Sequence, residues 1–286
     1  MGADVVLACE HSLEGALAAT GVAYLAHLSP ASMRLADADD VQPRLGEVVV
    51  DVPPDGTLAR RVWAGFVRTC CNGDEQAAHQ LVYASASSDP AMPEAIHRYL
   101  RLAFSAGPGV FLMRSHPAVV DMLDLARSVS NECEKTRQFV RFSELMDGSF
   151  LALFSPGANT IPLVGGYFAA RMREDRFCLI DTTRRVAAVH QPGWKSCSYL
   201  LLAPGDPLPT SPALARDERY VRAMWKRFYD AMALPGRDRE ARGYDLRASL
   251  MPKRFWGGLT ELDPANDWSF SPDGQVTSTH SLTPET

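Results

Sequence analysis

Apolar and polar positions change period twice along the chain. Residues 4–9 (D-V-V-L-A-C) form an unbroken apolar run of strand length, and Ser12 stands as an N-cap before an apolar helical stretch over 13–28. A second strand is expected over 47–52, closed by Pro53-Pro54, with 29–42 read as a polar connection. Three helical pieces follow. The first, 57–71, repeats Leu58, Arg61, Val62, Trp63 and Phe66 at three- to four-residue spacing; 74–86 and 93–104 come after Asn72-Gly73 and Ser87-Ser88-Asp89-Pro90. A longer helix is expected from Ser115, with Pro117 in its first turn and Val119, Met122, Ala126, Val129 and Cys133 on one stripe.

Beyond that helix the period drops to two. Residues 139–145 and 149–154 alternate around Asp147-Gly148, the strongest hairpin signal in the chain. A short helix over 161–172 ends in Arg171 and Arg173, and strands are expected over 177–181 and 186–190 around a turn at 182–185. Four prolines and a glycine in 202–212 mark a crossing over the surface. The stretch 214–234 then reads as an amphipathic helix. It gathers Leu214, Val221, Met224, Trp225, Phe228 and Met232 on one face and Arg216, Arg219, Arg222, Lys226 and Arg227 on the opposite one. The fold class expected is α+β: a mostly helical N-terminal half, a small and largely antiparallel central sheet, and C-terminal amphipathic helices. Three regions are expected: 1–106, 107–262, and a disordered acidic tail over 263–286 rich in Ser, Thr, Pro and Asp.

Composition narrows the class. With 286 residues, 46% hydrophobic and 22% charged, the chain is long enough for one large or two modest globular domains. Residues 1–10 lack the basic start and apolar core of a signal peptide, and no stretch approaches about 18 apolar residues, so a cytoplasmic protein with no membrane association is expected. The six cysteines (Cys9, Cys70, Cys71, Cys133, Cys178, Cys197) form no C-x-x-C pair, which points to reduced, mostly buried thiols. Charge is uneven. Residues 1–138 carry 11 basic and 17 acidic side chains, 139–262 carry 18 and 13, and 263–286 carry 0 and 4, so the basic excess sits in the C-terminal half.

Local chemistry is sparse. Glu10-His11-Ser12 between the first strand and helix is neither G-x-G-x-x-G nor a P-loop, and no nucleophile elbow, H-E-x-x-H or paired-cysteine metal site occurs, so no cofactor or metal is expected. Carboxylates able to act as acid or base are Glu132 and Glu134, near Arg137 and Arg141, and Asp181, beside Arg184 and Arg185 in a strand-turn-strand setting. Structural ion pairing, and a turn closed by the Asp181 side chain, are the competing readings. Met251-Pro252-Lys253-Arg254-Phe255-Trp256 sets two cations beside two large aromatics. Cations neutralise phosphates and rings stack on bases, so these residue types fit nucleotide contact; Phe255 and Trp256 as core anchors is the alternative.

Across about residues 4–262 the chain resembles a bacterial family assigned to DNA metabolism and DNA repair and built on a domain of unknown function. The resemblance is carried by Ser12-Leu13-Glu14-Gly15, by Glu132 followed by Phe139-Val140-Arg141-Phe142, and by Asn159-Thr160-Ile161-Pro162-Leu163 leading to Tyr167-Phe168-Ala169-Ala170-Arg171. Ile180-Asp181-Thr182-Thr183-Arg184, Trp225 to Tyr229, the Met251 to Trp256 box and Leu259-Thr260-Glu261 complete it. Three positions depart from the family pattern: Glu134 and Tyr167 stand where the family has histidines, and Ala241 to Arg247 replaces its N-P-x-L-Q run, so a histidine-dependent reaction is not expected. Family members stand beside a radical-SAM protein or are fused to a uracil-DNA-glycosylase-like domain, which implies a role on damaged or modified DNA.

The leading expectation is a protein that binds single-stranded or damaged DNA through its C-terminal half and acts in repair with a radical-SAM partner. The contacts expected are Arg141, Arg171, Arg184, Arg219, Arg222, Lys226, Lys253 and Arg254, with Phe255 or Trp256 as a stacking surface. A second reading makes the chain an enzyme acting on a nucleotide or damaged base through Glu132, Glu134 or Asp181. A third makes it a non-catalytic adaptor that docks a partner through its acidic N-terminal helices.

Overall fold

The computed structural model describes residues 4–209, 212–231 and 251–263, together with two short strands at 268–270 and 276–278. The chain divides into two compact units, Met1–Glu132 with Gly157–Asn159, and Cys133–Pro156 with Thr160–Thr286.

The first unit opens with β1 (Asp4–Cys9), the middle of a three-stranded sheet in the order β2-β1-β3, where β2 is Met33–Asp37 and β3 is Glu47–Val52. Both neighbours pair with β1 in parallel. Arg34 of β2 donates through Nε and Nη2 to the two carboxylate oxygens of Glu47 at 2.9 and 2.8 Å, tying the outer strands together across the middle one. That guanidinium holds the Glu47 carboxyl down at about 2.

Helix α1 (Leu13–Leu25) starts where the Ser12 side chain accepts from Gly15 N at 3.0 Å. A Cβ on Gly15 would lie 2.3 Å from the Glu10 carbonyl oxygen, so the tight return from β1 into α1 requires glycine there. Helix α2 (Gly56–Cys70) is capped by Asp55 and followed by α3 (His79–Ser85), α4 (Met92–Ala106) and α5 (Pro117–Phe139). Phe66, Leu81, Met92, Ile96, Leu100 and Met122 fill the helical core, while Leu7, Cys9, Leu35 and Ala19 close the layer between sheet and α1.

In the second unit, β4 (Ser143–Glu144), β5 (Phe150–Phe154), β6 (Phe177–Asp181), β7 (Val186–His190) and β8 (Ser198–Leu201) form a sheet in that order. Only β5 and β6 pair in parallel, and α6 (Ile161–Arg171) lies between them in the chain, as a parallel connection requires. The Asp147-Gly148 turn forms as expected, with Gly148 at φ 74° and Asp147 Oδ1 accepting from Ser149 N. Helix α7 (Glu218–Ala231) follows, then two 3-10 turns, Lys253–Gly258 and Thr260–Leu262; β9 (Trp268–Phe270) pairs antiparallel with β10 (Val276–Ser278).

The α+β class holds, with four corrections to the expected elements. The polar connection at 29–42 contains β2, whose short M-R-L-A-D sequence has no β-branched residue to signal a strand but gains its partners from β1. The first hairpin arm shrinks to Ser143–Glu144, because Phe139 is still the last residue of α5. Strand β8 was hidden by its exposed Tyr199, Leu200 and Leu201, which give no alternation.

The fourth correction concerns α7: Arg216, Arg219 and Arg227 of its expected basic side are exposed, but its apolar stripe is not the buried face. Its buried face instead holds Ala223 and Glu218, with Arg222 drawn in, while Tyr220, Val221, Met224, Trp225 and Phe228 are 39–55% exposed. The cause is Glu218: buried, its carboxylate accepts from Glu144 N at 3.2 Å and from Arg222 Nε at 2.8 Å, so the helix docks on an ion pair. Met232, the expected extension to 234 and the stretch 241–247 lie outside the described residues.

All six cysteines are free thiols, five of them buried, and burial pushes Cys9 up to about 12 and Cys71 and Cys197 up to about 11. Among the described residues no helix is long and apolar enough to cross a membrane.

Candidate functional site

The F-x-R-F segment leaves the end of α5 with its side chains directed to different partners. Phe142 enters the core of the second unit, edge-on to Phe168 and Phe177 at ring centroid distances of 5.3 and 5.4 Å. Phe139 meets Phe255 of the closing box at 5.9 Å. Between them Arg141 reaches the turn after that box, where its Nη2 donates to Glu261 Oε1 at 2.9 Å, and Nη1 donates to the Gln138 carbonyl. Trp225 Nε1 donates to the other oxygen of Glu261 at 3.1 Å, and the Arg141 guanidinium lies 5.7 Å from the Trp225 ring centre. Two segments that were legible as motifs thus meet on a buried carboxylate. The sequence did not mark its role.

The closing box is a 3-10 turn with Phe255 buried, 3% exposed, and with Lys253 and Arg254 exposed. Arg254 lies over the Phe255 ring at 5.4 Å, and Trp256, half-buried, donates its indole N–H to the Met251 carbonyl at 2.9 Å. Phe255 is therefore an anchor. Exposed aromatics of this unit include Tyr167, Trp194 and Tyr199 and, on α7, Trp225 and Phe228, which stack at 5.6 Å with 29° between planes.

The expected cations fall into two groups. Arg141, Arg184 and Arg222 are half-buried and ion-paired, with Glu261, Asp181 and Glu218 respectively; Arg222 also donates to Ser143 Oγ. Arg171, Arg219, Lys253 and Arg254 are exposed and Lys226 is half-buried; Arg171 Nη1 approaches the Tyr167 hydroxyl at 3.4 Å.

The three expected acid/base carboxylates are each engaged locally. Glu132, buried, accepts from Gly157 N at 2.6 Å in the first unit. Glu134 is exposed and pairs one turn on with Arg137. Asp181 is fully buried at the end of β6. Its Oδ1 accepts from the Thr183 and Arg184 amides and its Oδ2 from Arg184 Nη1, closing the β6–β7 turn in which Arg185 takes φ 57°. Arg184 also donates to the Pro156 carbonyl. Asp181 is thus matched within its own turn and Arg141 by Glu261, so the two elements organise separate parts of the unit. Among the described residues no group of three His, Cys, Asp or Glu side chains is arranged to hold a metal ion.

These features define a two-unit α+β protein whose second unit is organised by carboxylate–arginine pairs at the ends of its motifs. The chain belongs to the DUF4130 family, described as a domain of unknown function, whose model matches residues 90–261. The F-x-R-F segment, the Asp181 turn and the closing box through Glu261 all lie inside that match, whereas Ser12-Leu13-Glu14-Gly15 lies before it. No curated protein and no solved structure matches the chain.

Proposed function

We propose that the chain binds single-stranded or damaged DNA through its second unit and serves DNA repair beside a radical-SAM protein. The observation that carries the reading is the stacked, solvent-exposed Trp225–Phe228 pair on α7, joined through Glu261 to Arg141 and followed by the exposed Lys253–Arg254 pair. Aromatic faces accept unpaired bases of any identity, and neighbouring cations neutralise the phosphates between them. The stacking role thereby moves from Phe255 and Trp256 to Trp225 and Phe228. The excess of 18 basic over 13 acidic side chains in residues 139–262 favours the same polyanion. The repair setting and the radical-SAM partner follow from the family resemblance.

Fluorescence anisotropy with single-stranded and duplex oligonucleotides over a salt series tests the binding. The expected result is tighter binding to the single strand, with log affinity falling linearly as log salt rises. No binding at low salt, or a flat salt dependence, refutes it. Co-purification with a radical-SAM protein tests the partner separately.

A further inference from the structure

A pocket of about 330 Å³ opens in the first unit between α3, α4 and the start of α5, and none of the chemistry described above uses it. Its floor is apolar: Val110, Val119 and Met122 are each at most 3% exposed. Into that floor is set the ring of Tyr99, 2% exposed and held edge-on by Phe66 at 6.1 Å. Tyr99 lines the pocket, and its hydroxyl makes no hydrogen bond to another described residue. At the rim Arg114 is exposed and makes no ion pair among the described residues, and His79 and Gln80 line the same mouth.

We propose that this pocket is a binding site for a small planar molecule bearing an anionic group, an aromatic carboxylate or a nucleoside monophosphate. The size fits one ring system, since ligand pockets begin at about 300 Å³. The buried apolar floor accommodates a flat ring, while the polar rim of His79, Gln80 and Arg114 leaves room for an attached polar or charged group. The guanidinium at the rim supplies the forked donor that carboxylates and phosphates take, and a polar edge of the ring can hydrogen-bond the Tyr99 hydroxyl. Burial, with Cys71 and Cys70 nearby, pushes the Tyr99 phenol well up from its ordinary range, so it is an O–H group at neutral pH.

The test is calorimetric titration of the full chain with two panels, the nucleoside monophosphates and the carboxylates benzoate and indole-3-carboxylate, read alongside the Met122 methyl resonance. One panel is expected to bind at one site with Kd below about 1 mM and to move the Met122 signal. Arg114→Gln is expected to weaken that binding about tenfold, Tyr99→Phe about fivefold, and Arg127→Gln, whose arginine pairs with Asp124 on the surface, to leave it unchanged. Whichever panel binds identifies the source of the anion. Absence of saturable binding in both panels, or binding indifferent to Arg114→Gln and Tyr99→Phe, overturns the proposal.

Discussion

Arg141 and Glu261, 120 positions apart in sequence, meet at 2.9 Å, with the Glu261 side chain 1% exposed and the Arg141 side chain 24% exposed. A buried carboxylate is tolerated only when its charge and lone pairs are matched, and here Arg141 and the Trp225 indole N–H do the matching. Glu261→Ala strands the guanidinium and the indole N–H together and is expected to cost about 3 kcal/mol. Arg141→Met with Glu261→Leu removes both charges and is expected to cost less than Glu261→Ala alone. Urea unfolding midpoints of the single and double variants measure this. Additive costs at the two positions would show that the pair is not coupled.

How much of this was legible in the sequence depends on the range of the interaction concerned. Strands 177–181 and 186–190 and the Asp147-Gly148 turn could be read directly, because alternation and turn chemistry are local properties and the structure matches them residue for residue. Asp181 closing its turn was legible for the same reason. Glu261 was not, because its burial is set by an arginine on a distant segment that no local period encodes. Helix α7 misled for a related reason. Its apolar stripe was real, but which face turns inward was decided by Glu218, a charged residue that sequence patterning assigns to solvent.

The opening Ser12-Leu13-Glu14-Gly15 motif has a steric explanation. With the Glu10 carbonyl oxygen 2.3 Å from where a Cβ would sit, Gly15→Ala must displace backbone on one side of the turn. The expected cost is about 1–3 kcal/mol. Thermal unfolding should show a lower midpoint for Gly15→Ala, while Ser12→Ala, which removes one cap hydrogen bond, should cost about 1 kcal/mol. If Gly15→Ala unfolds like the parent chain, the motif owes its glycine to something other than this close approach.

His97 makes the first unit sensitive to acid. Its Nδ1 lies 3.1 Å from Thr20 Oγ1, its Nε2 is buried with no partner among the described residues, and burial with Arg101 nearby lowers it from 6.5 to about 4. A base with a depressed folded value binds fewer protons folded than unfolded between those two pH values, so stability rises with pH across that window. The contribution is complete above about pH 6.5 and is lost as pH falls through about 4, a loss on the order of 3 kcal/mol. Urea unfolding at pH 7 and pH 4 measures it. His97→Gln should flatten the difference, and an undiminished acid sensitivity in that variant would assign the effect to other groups.

The difference in burial among the cations predicts different responses to charge reversal. Lys253→Glu with Arg254→Glu alters exposed side chains beside the buried Phe255, so folding should be retained within about 0.5 kcal/mol per site. Under the DNA-binding reading, single-strand affinity should fall and the salt slope should decrease by roughly 0.7 for each phosphate that is no longer neutralised. Phe228→Ala, which removes an exposed stacking face without touching the Glu261 hydrogen bonds, should weaken binding by about 1–3 kcal/mol. Arg222→Glu acts differently, because it sets a second carboxylate against the buried Glu218 and breaks the hydrogen bond to Ser143, so its first effect is on folding. Circular dichroism at the binding temperature separates the two kinds of loss. DNA affinity unchanged in the Lys253/Arg254 variant and in Phe228→Ala alike would leave this surface without a role in DNA binding.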